Sequence, residues 1–443
     1  MGGGAPLTGG QRHRRDRAAV VAVGLLVLAV AAIGPGLLPG RTPLPLDLLR
    51  LFLPWSGTGP PPANPLLGDV VLHAADRVAI ARAWRSGHLP LWAPEIMAGH
   101  PMVGDSSMQP FFPLHVLPAL LFDFHTAFAV QLVLQLWLAG LAMVAWVRQL
   151  TRGWLPSIVA AVVWMGASYQ QVWRAYPQFL GTLMWLPAVA AAWEWAVRTG
   201  RRRARLAGAA AAAMAILGGQ AQFVAFGALV LGAYVIGRLR SLTARQRRRG
   251  LEAVLTIAVL GAALGAIGLL PVIALARDSI RPPFTPTALV ATGIPADHLV
   301  TAVDPWFLGD PRDGSYRGAQ NTNELALYIG LLPLLLAMAA PFARRDRVTW
   351  LLAGLAVAVM VVVLGAPPAR VLAAVPFVRQ FGLMRWLALW PMVAAPLAAL
   401  ALDACARDRG GRGVAGPRLR AAAVAVTGGL AAVLVAQTVA YGR

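Results

Sequence analysis

Residues 126–147 read TAFAVQLVLQLWLAGLAMVAWV, a run without one charged side chain that closes at Arg148. About 20 apolar residues carry a helix across the hydrocarbon core of a bilayer, so this run is read as a membrane span. Similar runs lie outward from it on both sides, near 18–38, 154–173, 178–197, 206–219, 221–237, 251–275, 324–342, 349–365, 386–404 and 421–440. The composition agrees, because a chain of 443 residues that is 58% apolar and 13% charged, with mean hydropathy +0.64, would leave a large apolar exterior as a soluble domain. The expected fold is all-α: a polytopic membrane protein of about eleven transmembrane helices, with no room for a large soluble catalytic domain. The first run is read as an uncleaved span, since a signal peptide has a shorter apolar core and a small-residue cleavage site.

A formal charge of +21 suggests nucleic acid in a soluble chain, but all 39 basic residues are arginines, set mainly in short clusters between spans. They are read as topology signals, and no nucleic-acid partner is expected. With the N-terminus in the cytoplasm, 25 of the 39 arginines fall in the short inside segments, as the positive-inside rule requires. Residues 1–17 then form a cytoplasmic arm and 18–443 one polytopic membrane domain in the cell membrane, with the C-terminus outside. The lone Cys405 excludes an internal disulfide and a cysteine-based zinc site.

Two outside segments, about 40–125 and 276–323, are too long to be simple connectors. Six of the seven histidines fall in or beside them, which places any chemistry on the outer face. Ion-coupled transport needs ionisable groups near mid-membrane. Glu194, Glu252, Glu324 and Asp403 instead lie near span ends, where they are expected to snorkel or cap. Gln131, Gln135, Gln220 and Gln222 are expected to make interhelical hydrogen bonds.

Within the first outer loop, residues 64–87 have a helical period that ends at Gly87 and Pro90. At about 100° per residue, Asp69, His73, Asp76 and Arg77 share one edge, which reads as a helix lying apolar side down on the membrane surface. Asp69, following Gly68, reads equally as a helix N-cap or as a functional carboxylate. His73 and Asp76 read as a solvated face or as a site, and Arg77 and Arg82 as headgroup contacts or ligands. The Gly and Pro spacing of residues 88–113 forbids regular structure, so this segment is expected to be a shaped loop held by Trp92, Phe111 and Phe112, with His100, Asp105 and Gln109 among its polar members.

That loop carries a resemblance. LPLWAPEIMAGHPMVGDSSMQPFFPLHVL (89–117 with its flanks), preceded by GRTPLPLDLLRLFLPW (40–55) and NPLLGDVVLH (64–73), resembles the YfhO family of bacterial multi-pass membrane proteins. The likeness continues through RAYPQF (174–179), GGQAQ (218–222), YIGLLPLLLA (328–337) and FGLMRWLALWPMVAAPLAALALD (381–403), in order along nearly the whole chain. His73 stands where the family usually has Gln, and Ala93 and Glu95 replace a typical Asn and aromatic.

The resemblance implies a GT-C-like architecture and a glycosyltransferase that takes a polyprenyl-phosphate-linked sugar at the outer face, with an envelope glycan or glycolipid as acceptor. Such transfer needs a base for the acceptor hydroxyl, cationic neutralisation of the departing phosphate and a groove for the prenyl tail. Asp69 and Asp47 are the candidate bases. Arg77, Arg82 and Arg385 are candidates for the phosphate, and Trp92 for stacking on a sugar ring. His73, Asp76, His100, Asp105 and Gln109 complete the candidate substrate contacts. A divalent cation wants several oxygens, for which Asp47, Asp69, Asp76 and Asp105 are the available carboxylates. The alternative is a non-catalytic membrane protein that handles lipid-linked sugars or assists envelope assembly.

Overall fold

In this computed structural model residues 9–408 are described, apart from 63, 97, 281, 312, 320 and 376. They form an all-helical protein. No strand occurs among the described residues beyond one isolated bridge, Ala93 to His100. The helices are α1 (Gly9–Ile33), α2 (Asp69–Arg85), α3 (Pro113–Leu121), α4 (Phe124–Leu150), α5 (Trp154–Gly166), α6 (Ser168–Val172), α7 (Pro177–Leu183) and α8 (Trp185–Thr199). There follow α9 (Arg202–Leu217), α10 (Ala221–Leu239), α11 (Ala244–Leu264), α12 (Ala266–Arg277), α13 (Pro286–Val290), α14 (Leu331–Ala343), α15 (Arg347–Val363) and α16 (Trp390–Asp408).

Five helical stretches are long and apolar enough to cross a membrane, and two bent pairs raise the number to seven. Helix α4 is the longest of the bundle and packs against α1, α3, α5 and α8. Asp123 starts it by accepting hydrogen bonds from the backbone N–H groups of His125 (3.0 Å) and Thr126 (3.1 Å). Helix α16 is almost wholly buried between α14, α5 and α15, whereas α1 lies at the periphery with Val20, Val23 and Val27 exposed.

Several expected spans are interrupted. The 251–275 run bends by 76° between α11 and α12, where Gly265 ends one helix and starts the next. The 154–173 run breaks after Gly166, and Ser168 N–H then donates to the Tyr328 carbonyl. The 324–342 run begins its helix only at Leu331, because Gly330 holds a φ of +97°, outside the helical region. The run at 421–440 lies outside the described residues.

Three acidic groups expected to snorkel or cap are buried and paired instead. Glu194 accepts from Arg238 Nε (2.7 Å), Arg238 Nη2 (3.0 Å) and the Tyr234 hydroxyl (2.7 Å). Asp403 is approached by Arg344 (3.6 Å) and Arg407, and accepts from the backbone N–H of Arg152 (3.2 Å). Both sit at the end of the bundle where α4, α8, α10 and α16 finish. The third, Glu324, lies at the opposite end, with the first outer loop. Glu252 remains half-exposed between Arg205 and Arg248.

Candidate functional site

The site is built on α2 and the loop that follows it. Asp69 is the first residue of α2 and exposed, while Gly68 occupies the cap position without a side chain to offer, so Asp69 is not the N-cap. One turn on, His73 meets the ring of Tyr176 edge-on at 5.8 Å. Its imidazole is held below the ordinary value, chiefly by burial, against the pull of Asp105, Asp76 and Asp69.

Part of the polar edge of α2, Asp76 and Arg77, is buried together with Val70 and Ile80, while Asp69 at its start stays exposed, so the helix does not simply lie apolar side down on a surface. Asp76 is 7% and Arg77 3% exposed, whereas Leu72 is 57% exposed. Burial pushes the Asp76 carboxyl up, and its Oδ1 has no partner among the described residues. Arg77 is accommodated by amide oxygens rather than by a carboxylate. Its Nη1 donates to Gln109 Oε1 at 3.1 Å and its Nη2 to Gln131 Oε1. Burial lowers this guanidinium to about 9, which still leaves it protonated at neutral pH.

Gln109 is the keystone of the loop. Fully buried in a left-handed conformation (φ 58°), it accepts from Gln131 Nε2 (2.7 Å) and donates through Nε2 to the Gly218 carbonyl (2.6 Å). That approach requires glycine: a Cβ at Gly219, itself at φ +98°, would lie 2.4 Å from the Ser106 carbonyl oxygen. The rest of the loop is tied by the Ala93–His100 bridge, with two backbone bonds of 2.9 Å, and by Asp105, which caps the turn at Ser107 N (3.0 Å). His100 Nε2 stands 3.7 Å from Asp105 Oδ2. Phe112 is fully buried and Phe111 meets Trp84 edge-on, as a shaped loop needs. Trp92 lies against Gly99 but stays 56% exposed.

A second polar group closes the site from across the bundle. Arg385, on a 3-10 turn spanning Leu383–Leu389, donates to Glu324 Oε1 (3.0 Å) and Gln222 Oε1 (3.3 Å), with its guanidinium 5.9 Å from the Phe179 ring centre. Glu324 is 2% exposed, and burial pushes its carboxyl up despite Arg385. Glu324 Oε2, Gln222 Nε2 and Asn323 Nδ2 have no partner among the described residues. Asn64 Nδ2 donates to Asn323 Oδ1 (2.9 Å), tying this group to the segment that enters α2. Tyr176 stands between the two groups, its phenol pushed up by burial and within the fields of Asp69, Arg385 and Glu324.

Tyr176 thus touches His73 and feels Asp69, Arg385 and Glu324, while Asp76 and Asp105 act on His73 and Gln109 holds Arg77. Arg82, paired with Glu95 at 3.2 Å, and Trp92 lie at the surface. Asp47 sits on a separate 3-10 turn, Leu46–Leu51, that packs on α2. Asp47, Asp69, Asp76 and Asp105 do not make a metal centre, since among the described residues no three His, Cys, Asp or Glu side chains stand close enough to hold one ion. Reasoning from sequence missed Glu324, Tyr176, Gln131 and Gln222 as members of the site. Tyr176 and Gln222 lie within stretches that carry the family resemblance, but no local pattern pairs Glu324 with an arginine 61 positions on. Compared with protein-family models and with characterised proteins, the chain gives no match.

Proposed function

We propose that this protein is a membrane glycosyltransferase that takes a sugar from a polyprenyl-phosphate donor at the outer face and gives it to an envelope glycan or glycolipid. The observation that carries the reading is an exposed carboxylate, Asp69, at the start of α2, which acts on the Tyr176 phenol together with the ion pair that Arg385 makes with the buried Glu324. In the proposed reaction the acceptor oxygen attacks the anomeric carbon as the bond from that carbon to the phosphate oxygen breaks, inverting the sugar. Asp69 takes the acceptor proton, and Arg385 offsets charge on the departing phosphate. Glu324 positions Arg385, while His73, Tyr176 and the amide of Gln222 are placed to bind hydroxyl groups.

The same reading takes the architecture as GT-C-like. Ten of its eleven expected spans correspond to the seven long stretches, each bent pair taken as one, and the shorter helices α5, α9 and α14; the eleventh, at 421–440, lies outside the described residues. It sets the arginine-rich end in the cytoplasm, in accord with the distribution of arginine. Asp47 is the second candidate base.

The test is mass spectrometry of envelope glycans and prenyl-phosphate sugars from cells lacking the protein, complemented with the native chain, Asp69→Asn or Asp47→Asn at matched membrane abundance. Loss of one decoration with build-up of its donor, restored by the native chain and not by Asp69→Asn, is the expected outcome. Restoration by both variants removes catalysis at these carboxylates and leaves the non-catalytic role in handling lipid-linked sugars.

A further inference from the structure

Between α2, α3 and the first turns of α4 lies a cleft of about 240 Å³. Arg77 forms its floor, Arg82 and Arg85 its rim, and Phe124 and Phe128 an apolar wall; no carboxylate lines it. Arg77 is 3% exposed, yet among the described residues no carboxylate comes within ion-pair distance of it. A cation taken out of water is unfavourable unless an anion accompanies it. Two amide oxygens satisfy part of its hydrogen-bonding capacity and none of its charge.

The rim arginines are poised in the same way. Arg85 uses Nε on the Ala119 carbonyl (2.8 Å) and Nη2 on the Phe122 carbonyl, which fixes the guanidinium and leaves Nη1 to point elsewhere. Arg82 has only Glu95, and both of those side chains are largely in solvent, where an ion pair is weak and exchangeable. Burial keeps His115, also in the wall, well below its ordinary value and hence neutral. Three guanidiniums thus face one opening, and among the described residues the acid paired with any of them is Glu95 on Arg82, itself half in solvent.

The surroundings distinguish a lipid from a free anion. Helix α3, the far wall, exposes Leu117, Leu120 and Leu121 in succession, followed by Phe122. This short apolar helix lies beside the starting end of α4, a helix long and apolar enough to cross a membrane, so its exposed leucines are placed to meet lipid. An anion held in the cleft would carry its apolar tail past Phe124 and Phe128.

We propose that this cleft binds the phosphomonoester headgroup of a membrane lipid. A phosphomonoester supplies up to two negative charges and three acceptor oxygens to three guanidiniums, a geometry arginine matches better than a single point charge does. The site rests on the cleft alone and not on transfer at Asp69. Two lipids carry this headgroup: phosphatidic acid, and the polyprenyl phosphate that the proposed transfer would release.

The test is native mass spectrometry of the full chain in detergent, with phosphatidic acid, polyprenyl phosphate, phosphatidylglycerol or inorganic phosphate added separately. Either monoester lipid is expected to be retained about tenfold more than the diester phosphatidylglycerol. The Arg82→Gln/Arg85→Gln double variant, confined to the exposed rim, is expected to lose that preference, and Asp69→Asn to keep it. The tighter of the two monoester lipids identifies the source. Equal retention of monoester and diester, an unchanged preference in the rim variant, or competition by inorganic phosphate at lipid concentrations would each overturn the proposal. A native-like preference in Asp69→Asn that has lost glycan transfer separates this site from the reaction.

Discussion

Two buried acids, each paired with a partly exposed arginine, mark the opposite ends of the bundle, and the pairs are built differently. At the arginine-rich end Glu194 has both oxygens engaged, by Arg238 twice and by the Tyr234 hydroxyl. At the other end Glu324 offers one oxygen to Arg385, while its second oxygen and the amide nitrogens of Gln222 and Asn323 have no partner among the described residues. A fully engaged pair locks helices together and has no capacity left over. The half-engaged pair retains donors and acceptors directed inward, at a cost in stability that a purely structural role would not justify. The contrast separates scaffold from site without reference to any relative of the protein.

The largest effect expected is on transfer at the open end. Asp69→Asn should reduce it by about 10²–10⁴-fold, the usual contribution of a positioned base, while the unfolding midpoint stays within about 0.5 kcal/mol of native, as for an accessible residue. A drop in both together would mean that Asp69 belongs to the scaffold. At the closed end Glu194→Gln should cost about 3–5 kcal/mol in thermal or denaturant unfolding, because it strands a buried arginine. If Glu324→Gln costs as much, the contrast between the two pairs fails; the expected cost is about 1–3 kcal/mol, with transfer lost.

Glycine at the loop contact gives a sharper, local version of the comparison. Gly219→Ala should destabilise by about 1–3 kcal/mol, through its positive φ and the collision with Ser106. Gly24, where an added methyl meets nothing within 4 Å, should tolerate Ala with no loss. The smallest effect concerns pH. Glu324 has its folded-state value raised above 4.5, so the folded chain holds that proton longer than the unfolded one. Its contribution is therefore present at acid pH and is lost as pH rises from about 4.5 through the folded value. Unfolding measured across that window should show a shallower decline with rising pH in Glu324→Gln than in the native chain; an identical slope would mean that Glu324 is not held protonated by burial.

Hydrophobic runs of some twenty residues, the arginine clusters between them and the helical period read over 64–87 were enough to establish a helical membrane protein with a helix, found at Asp69–Arg85, in the segment after its first apolar run. These are properties of neighbouring residues, and they survive whatever the rest of the chain does. The direction in which α2 faces was not among them. Asp76 and Arg77 on its polar edge would point to water on any isolated helix, and they turn inward where Gln109 and Gln131 bring amide oxygens to Arg77 from a loop and from α4. Likewise a glutamate at the edge of an apolar run looks like a cap until Arg385 arrives from 61 positions away. Helix formation is written in local spacing, whereas the fate of a buried charge depends on which distant partner the packing delivers, and that only the folded chain decides.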